Sequence, residues 1–387
     1  TALADIGDLD TLLAAKPPLL APLGPVQVRQ SGRDFEARFR VQDRGSGVGR
    51  IEYRVNGVLI GQGDLRGRFG LGLPNQREES RPFTLDAGTH RVEARVFDGR
   101  DRVASNWAAW DVEVTGRDRR RPALYGLAVG IGPYKNPTWS LEYGDDDAEA
   151  FASAVNAAAR GLFRAVEIET VVNDEATLDG ITHAFEAMAA KAGPDDVFVL
   201  FLAGHGLAQE GRYHFIPWDF SYTSSTSLAD GSLHEDRLQG LLAQVQARKS
   251  LVVLDSCYAG AVADTDEIRL AGLARSNADL ETRAAIDRLM AKTGRAILAG
   301  TSDKAYALEG LEGHGLFTYV LLEGLAGRAD LFGDRDGTIE TGELAEYLAD
   351  EVPRMSRRVW QYAMEPWNDL RGQSFPIGLR GRPEPAR

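Results

Sequence analysis

The stretch Val197-Phe-Val-Leu-Phe-Leu-Ala-Gly-His-Gly206 begins as an unbroken apolar run and ends in a histidine between two glycines. A second stretch, Leu251-Val-Val-Leu-Asp-Ser-Cys-Tyr-Ala-Gly260, has the same form, with an aspartate and a cysteine after the apolar run. Such runs predict strands buried on both faces, as in parallel sheets covered by helices. The carboxyl ends of neighbouring parallel strands lie at one edge of the sheet, where ligands bind in open α/β folds. We therefore expect His205 and Cys257 at the same edge.

The region around these two stretches, residues 123–380, alternates between apolar strands and helical segments. Alternation of this kind predicts an α/β domain with a mostly parallel sheet flanked by helices. The predicted strands are 124–131, 165–172, 196–203, 250–254 and 296–299, and the predicted helices are 145–160, 177–192, 233–247, 316–322 and 342–351.

The region before it, residues 25–115, has a different pattern. Apolar residues alternate with polar ones from Phe35 to Val41, and Asn56-Gly57 between two apolar runs is a hairpin signal. We predict a small immunoglobulin-like β-sandwich over 25–115, with an extension at 1–24 and a basic linker at 116–122. Its expected role is spacing, docking or recognition.

Composition limits the possible functions. The net charge of -13 argues against sequence-independent binding to nucleic acid or anionic lipid, and favours cationic partners. No apolar run approaches the roughly 20 residues that a membrane span needs. A single cysteine excludes an intramolecular disulfide and zinc sites built on several thiolates. We expect no membrane partner, no metal, and a cytoplasmic location.

The cysteine and the histidine are candidates for nucleophilic catalysis. A lone cysteine after a strand is more often a packing residue, and a lone histidine beside glycine is more often a loop residue. The two strand ends together, about 50 residues apart, favour catalysis. An imidazole beside a thiol promotes the thiolate and later protonates a leaving amine. The amides of Gly206 and Cys257 are candidates to hold an oxyanion.

Several spaced motifs in 122–378 resemble the bacterial caspase-like peptidases, often called orthocaspases, and are similar to metacaspases. These motifs are Tyr125-Gly-Leu-Ala-Val-Gly130, Leu141-Glu-Tyr-Gly-Asp-Asp-Asp147-Ala, Phe201-Leu-Ala-Gly-His-Gly206, Leu254-Asp-Ser-Cys-Tyr-Ala-Gly260, Ala299-Gly-Thr-Ser302 and Gly313-His-Gly-Leu-Phe-Thr-Tyr319. The resemblance implies a caspase-like fold and a catalytic dyad of Cys257 and His205. It also associates the chain with bacterial defence or regulated cell death.

The same resemblance implies specificity for basic residues. Asp255 stands two residues before Cys257, where metacaspases place an aspartate of the S1 pocket, and Asp147 matches a second one. Ser302 borders that pocket by the same analogy. A carboxylate pair would hold an arginine side chain and repel an aspartate. We therefore predict cleavage after Arg or Lys, although Asp147 is also explained as an ordinary first-turn helix acid.

Other residues are weighed against this prediction. His314-Gly315 is a rival to His205, but it precedes a predicted helix and does not follow a strand. Asp334-Arg-Asp-Gly337 resembles part of an EF-hand loop, yet Phe332 stands where the first ligand belongs, so we predict a turn there and no calcium site. The acidic stretch 264–267 is a weak basis for a calcium dependence, which is known in metacaspases.

Residues 261–294 occupy the place where caspases are cut, and they contain several arginines, Arg269, Arg275, Arg283 and Arg288. Their presence suits a zymogen that cleaves itself or is activated by another protease, or else they only balance an acidic chain. Two alternatives to a peptidase remain. One is an inactive caspase homologue that acts as a scaffold through the β-sandwich, and the other is a hydrolase or transferase for a small acyl substrate.

Overall fold

The computed structural model describes residues 16–69, 74–85, 87–116, 121–209, 212–221, 225–256, 287–288, 295–300, 309–361, 364–370 and 374–381. The chain divides into two compact units. The first comprises Thr1–Arg120, Gly193–Asp195 and Leu242–Arg248, and the second comprises the rest. The division after residue 120 falls inside the segment 116–122, for which the sequence predicts a linker.

The first unit is a β-sandwich, in agreement with the all-β pattern of its sequence. Its strands are β1 (Leu19–Pro22), β2 (Gln27–Gln30), β3 (Asp34–Gln42), β4 (Arg50–Val55), β5 (Val58–Asp64), β6 (Gln76–Thr84), β7 (Gly88–Val96) and β8 (Ala108–Val114). One sheet has the order β1-β3-β6 and the other β2-β8-β7-β4-β5.

The core of the sandwich lies between the two sheets. Phe39 of β3 packs against Tyr53 of β4 and Trp110 of β8, with ring centroids 6.2 and 6.3 Å apart. The predicted hairpin turn at Asn56-Gly57 joins β4 to β5, and both residues have positive φ, 53° and 83°. This is the backbone that a type I′ turn requires, and it explains the Asn-Gly pair.

Differences from the prediction appear at two places. The sequence predicts an extension at 1–24, but residues 19–22 of it form β1, which pairs antiparallel with β3. Residues 233–247 were predicted to be one helix, but Leu233–His234 form a short strand and the helix begins at Glu235. Pairing of Leu233 with Phe215 accounts for the second difference, because tertiary pairing overrides helical periodicity there.

The second unit contains the strands and helices of the predicted α/β domain. The strands are β9 (Leu124–Gly130), β10 (Val166–Val172), β11 (Val197–Ala203), β12 (Gly206–Gln209), β13 (Arg212–Phe215), β14 (Leu233–His234), β15 (Lys249–Asp255), β16 (Ala296–Ala299), β17 (Glu309–Leu311), β18 (His314–Gly315), β19 (Thr338–Glu340), β20 (Trp367–Asp369) and β21 (Pro376–Leu379). The helices are α1 (Gly144–Ala159), α2 (Leu178–Lys191), α3 (Ser225–Gly231), α4 (Glu235–Gln244), α5 (Leu316–Glu323), α6 (Ala329–Phe332) and α7 (Thr341–Trp360).

The main sheet has the order β10-β9-β11-β15-β16-β20, with parallel pairs throughout except for the antiparallel edge strand β20. Side chains of β11 reach opposite faces: Phe201 stacks on Phe151 of α1 at 4.4 Å, and Phe198 packs on Phe185 of α2 at 5.2 Å. Helices therefore cover both faces, which explains why β11 is apolar at every position. The fold class predicted from the sequence is confirmed.

Candidate active site

The central strands β11 and β15 are in a register that brings their ends together. Ala203 pairs with Asp255 as the last pair of the two strands, and the amide of Gly204 donates to the carbonyl of Asp255 at 3.2 Å. His205 follows Ala203 by two residues, as Cys257 follows Asp255 in the sequence. Cys257 lies outside the described residues. Because β11 and β15 end side by side, this register agrees with the predicted position of both strand ends at one edge of the sheet.

The imidazole of His205 is buried, with 4% of the residue exposed, and its Nε2 lies 2.6 Å from the carbonyl oxygen of Trp139. A carbonyl only accepts hydrogen bonds, so Nε2 carries the proton in this contact. Nδ1 is then the basic nitrogen of the neutral ring. The Trp139 carbonyl therefore selects the tautomer in which Nδ1 is able to accept a proton.

The backbone of His205 is also held in place. Its amide donates to the hydroxyl of Tyr134 at 2.8 Å, and that hydroxyl donates to the carbonyl of Ile216 at 3.2 Å. Gly204 has φ 153°, and a Cβ there would lie 2.9 Å from the Tyr134 hydroxyl. A side chain at position 204 would thus push Tyr134 away, which accounts for the glycine before His205.

Burial also sets the charge of the imidazole. It lowers the pKa of His205 to about 4, although the hydrogen bond to the Trp139 carbonyl acts in the opposite direction. An imidazole with this pKa is neutral at pH 7 and available as a base.

Gly206 lies where two segments of the site approach most closely. A Cβ on this residue would lie 2.9 Å from Oγ of Ser256 and 3.3 Å from the ring of Tyr213. The Ser256 and Tyr213 hydroxyls are themselves 2.7 Å apart, and both residues are buried. Glycine at 206 therefore permits the residue before Cys257 to pack beside the residue after His205.

Asp147 is a buried residue in the first turn of α1, with 4% exposed. Its Oδ1 lies 2.8 Å from Nδ1 of His314, and its Oδ2 accepts the amide of Gly315 at 3.2 Å. Its neighbour Asp146 is exposed. The alternative interpretation, an ordinary acid in the first turn of a helix, therefore fits Asp146 better than Asp147.

Asp255, at the end of β15, is half-buried and accepts a 2.5 Å hydrogen bond from the hydroxyl of Thr318. Burial raises the pKa of Asp255 to about 6, and the hydrogen bonds from the side chain and backbone of Thr318 partly offset this increase. Its carboxylate is therefore ionised at pH 7 and protonated in mild acid.

The two carboxylates converge on one point. A Cβ placed on Gly315 would lie 3.1 Å from Oδ2 of Asp147 and 3.5 Å from Oδ2 of Asp255. The structure therefore brings together two aspartates that are far apart in the sequence, with a glycine where any side chain would crowd them. Ser302, the third residue predicted for this pocket, lies outside the described residues.

The remaining histidines of the second unit occupy other positions. His183 is exposed on α2, and His214 is buried with Nδ1 2.8 Å from the hydroxyl of Ser232. His234 lies in β14, with its ring 6.2 Å from that of His214. His314 lies just before α5, where the sequence predicts a helix start, and its ring contacts Asp147 and not the end of a strand.

The segment that resembles an EF-hand forms a turn before α7. Carboxylate oxygens of Asp330, Asp334 and Asp336 lie within 4.8 Å of one another. Phe332, at the first position of the motif, has no ligand atom, and the buried Asp330 lies beside the other two acids instead. A guanidinium nitrogen of Arg380 lies 2.5 Å from Asp330. Glu343, at the last ligand position of the motif, caps α7 through the amide of Glu340. A cation would have to compete with these contacts.

Sequence reasoning missed four residues that hold the site, Tyr134, Trp139, Tyr213 and Thr318. Trp139 acts through its backbone carbonyl, for which the sequence has no signal. Thr318 and His314 belong to the motif Gly313-His-Gly-Leu-Phe-Thr-Tyr319, which marked the family but had no assigned role. This motif is the sequence signal that could have identified Thr318 and His314 as residues of the site.

A mostly parallel α/β sheet with a histidine and an aspartate at the ends of its central strands is the arrangement that the resemblance to caspase-like peptidases implies. The Peptidase C14 family model, described as the caspase domain, matches residues 125–368. The chain belongs to this family, which is a family of cysteine peptidases. This confirms the resemblance drawn from the sequence motifs.

Solved structures with similar regions include protein GSU0716 from Geobacter sulfurreducens, which is 20% identical over 66% of this chain and 94% of that chain, with a TM-score of 0.40. Caspase-1 from Spodoptera frugiperda is 12% identical over 67% of this chain and 92% of that chain, with a TM-score of 0.38. The fibronectin(III)-like modules of CbhA from Clostridium thermocellum are 18% identical over 26% of this chain and 100% of that chain, with a TM-score of 0.20.

No curated protein matches the sequence. Among the described residues, no helix is long and apolar enough to cross a membrane.

Proposed function

We propose that the chain is a cysteine endopeptidase that cleaves after Arg, and less readily after Lys, through Cys257 and His205. The observation that carries this specificity is the convergence of Asp147 and Asp255 at Gly315. Asp255 stands two residues before Cys257, so a side chain held by this acidic pair would leave its carbonyl near the nucleophile.

The reaction begins when Nδ1 of His205 accepts the thiol proton of Cys257. The thiolate attacks the scissile carbonyl carbon and forms a tetrahedral oxyanion. The carbon–nitrogen bond then breaks, and the leaving amine takes the proton from His205. Water, deprotonated by the same imidazole, hydrolyses the thioester and restores the thiol. The Nε2 contact with the Trp139 carbonyl supports this role, because it leaves Nδ1 as the nitrogen that accepts the proton.

The geometry of the β12–β13 ladder supports Gly206 as an oxyanion donor. Ile216 donates its amide to the carbonyl of His205 at 3.0 Å, and the next pair along the ladder is Gly206 with Phe215. Hydrogen-bonded and non-hydrogen-bonded pairs alternate in antiparallel ladders, so the amide of Gly206 points away from β13. The amide of Cys257 is the second donor of the proposal.

Charge and shape favour Arg over Lys in the proposed pocket. A guanidinium offers a planar fork of donors to two carboxylates, whereas an ammonium acts as a point charge. A substrate aspartate would meet two carboxylates and be repelled. The proposed substrates are therefore proteins with accessible Arg or Lys.

Regulation forms a further part of the proposal. The arginines within 261–294 would suit activation by self-cleavage or by another protease, and almost all of that segment lies outside the described residues. A role in bacterial defence or cell death, a cytoplasmic location and a calcium dependence remain predictions from the resemblance and the composition.

The experiment is hydrolysis of fluorogenic peptides that end in Arg, Lys or Asp, by the wild type, Cys257→Ala and His205→Ala, with and without calcium. His183→Ala, an exposed histidine on α2, is the matched control. We expect release after Arg and Lys that Cys257→Ala and His205→Ala abolish and His183→Ala preserves. Release after Asp alone would refute the acidic pocket and retain the dyad.

Labelling distinguishes the alternatives to a peptidase. A basic peptidyl electrophile should modify the wild type and not Cys257→Ala. A scaffold would resist it, and a hydrolase of small acyl groups would react without regard to the residue before the bond. A Cys257→Ala protein that still appears as fragments during purification would argue against self-cleavage.

A further inference from the structure

His314 belongs to the family motif at 313–319, and its side chain contacts Asp147 of the acidic pair. It lies in β18, directly before Gly315, which caps α5. We propose that His314 is a positioning residue of the S1 pocket. Its imidazole holds the Asp147 carboxylate in the orientation that receives a substrate guanidinium. This inference rests on the function proposed above and adds a specificity residue to it.

The contacts of Asp147 show how this orientation arises. Its Oδ1 is 2.8 Å from Nδ1 of His314, and its Oδ2 accepts the Gly315 amide at 3.2 Å. Two donors on different oxygens fix both the position and the plane of a carboxylate. Oδ2 is the Asp147 oxygen nearest the point at Gly315 where the two carboxylates converge, so His314 contacts the oxygen that lies farther from that point.

The second aspartate is held by the same segment of chain. Thr318, in the first turn of α5, donates its hydroxyl to Asp255. Residues 314–318 thus supply donors to both carboxylates. His205, in contrast, is held by Trp139 and Tyr134. A change at His314 is therefore expected to affect recognition of the P1 side chain and to leave the dyad geometry in place.

The role predicts a difference between arginine and lysine. A guanidinium needs two oxygens at fixed positions for its paired hydrogen bonds, and a carboxylate that is free to rotate supplies them less often. An ammonium tolerates this rotation better because it acts as a point charge. Loss of His314 should reduce the preference for Arg over Lys, which a general loss of folding would not do.

Isosteric replacements make the test sharper. The amide nitrogen of asparagine is attached to Cγ, as Nδ1 of histidine is, so His314→Asn is able to keep the donor to Asp147. The amide of glutamine lies one carbon further out, near the place of Nε2. We therefore expect His314→Asn to preserve recognition and His314→Gln to behave like His314→Ala.

The experiment measures equilibrium binding of a fluorescent peptide ending in Arg, and of its Lys counterpart, to the full chain carrying Cys257→Ala. His314→Ala and His314→Gln should raise the Kd for the Arg peptide about tenfold and that for the Lys peptide about threefold. His314→Asn should stay within about twofold of the parent for both, and so should the control His183→Asn.

The outcomes separate this inference from the proposed function. If Asp147→Asn weakens binding but His314→Ala binds as the parent does, the role of His314 is refuted and the acidic pocket stands. Equal losses for Arg and Lys, with no rescue by His314→Asn, also refute it. If the parent does not bind the Arg peptide, both the acidic pocket and the role of His314 are refuted. The same holds if Asp147→Asn and Asp255→Asn leave the affinity for this peptide unchanged.

Discussion

The buried carboxylate of Glu52 in the β-sandwich and the acidic pair Asp147 and Asp255 in the second unit have different partners. In the β-sandwich, Glu52 is 1% exposed and lies between two arginines, with its oxygens 2.7 Å from Arg95 and 3.3 Å from Arg50. Both guanidinium groups lie over the ring of Phe97, and that of Arg95 also lies over Trp107. Glu52 is thus neutralised inside its own unit.

In the caspase-like unit, Asp147 and Asp255 are held by an imidazole, a hydroxyl and backbone amides. Hydroxyl and amide donors stabilise a carboxylate without cancelling its charge, so the pair retains a negative potential. The comparison supports the proposal that buried acids paired with arginine stabilise a fold, whereas the converging acids held by dipoles would receive an external cation. This difference leads to five predictions.

The largest effect is expected from the acidic pair. Asp147→Asn should lower kcat/KM for an Arg peptide by about a hundredfold or more, because a buried charge contact to the substrate is lost. Steady-state hydrolysis measures this, with Asp146→Asn, an exposed acid on the same helix turn, as the control. Equal losses in the two variants would show that Asp147 has no special place in the site.

Glu52 should show the opposite behaviour. Glu52→Gln leaves two arginines without their carboxylate and should destabilise the sandwich by about 3 kcal/mol, with peptide hydrolysis unchanged. Hydrogen exchange in β4 and β7 reports this unit separately. Glu113→Gln, which breaks the exposed contact to Arg29, should have no measurable effect. Lost hydrolysis in a folded Glu52→Gln protein would contradict the comparison.

Acid should weaken recognition of Arg. Because the pKa of Asp255 is about 6, its carboxylate is ionised above that pH and protonated below it. Affinity for a cation is therefore present at pH 7, and kcat/KM should be about tenfold lower at pH 5. The His205 ring, with a pKa of about 4, stays neutral over this range.

Alkylation of Cys257 by iodoacetamide over the same pH range provides the control, because it reports the reactivity of the dyad without using the S1 pocket. A constant ratio of peptide hydrolysis to alkylation from pH 7 to pH 5 would mean that Asp255 does not govern recognition.

Thr318 tunes the same carboxylate. Thr318→Val removes the hydroxyl donor, so the KM for an Arg peptide should rise about fivefold. The pKa of Asp255 should rise as well, because this hydrogen bond lowers it. A pH profile of kcat/KM would show the acidic limb moved to higher pH, and Thr318→Ser should restore it. An unmoved limb would exclude this role for the hydroxyl.

The smallest effect is expected at Trp107 in the sandwich. Its ring lies 4.5 Å from the guanidinium carbons of Arg54 and Arg95. Trp107→Leu should destabilise the unit by about 1 kcal/mol, the usual size of a partly exposed cation–π contact. Hydrogen exchange in β4 and β7 would measure it. A loss as large as that in Glu52→Gln would mean that stacking, and not the ion pair, holds the arginines.

The sequence was sufficient for the fold class and for the edge of the site. Apolar periodicity identified β11 and β15, and the positions after them identified His205 and Cys257 as candidates. Asp255 and Asp147 came from the family resemblance, and burial distinguishes Asp147 from Asp146. The helix predicted over 233–247 is present at Glu235–Gln244, and the prediction was wrong at its start because Leu233 and His234 pair with β13, and pairing between distant segments leaves no periodic signal.

The sequence by itself determined which strands are buried and which residues follow them, because periodicity and chain order are local properties. Only the tertiary structure decided what holds those residues. The contacts of Trp139 with His205, His314 with Asp147, and Thr318 with Asp255 join positions 66, 167 and 63 residues apart. Several donors and acceptors around the site, such as the Trp139 carbonyl and the Gly315 amide, are backbone groups, so packing of the folded chain and not residue type selects them.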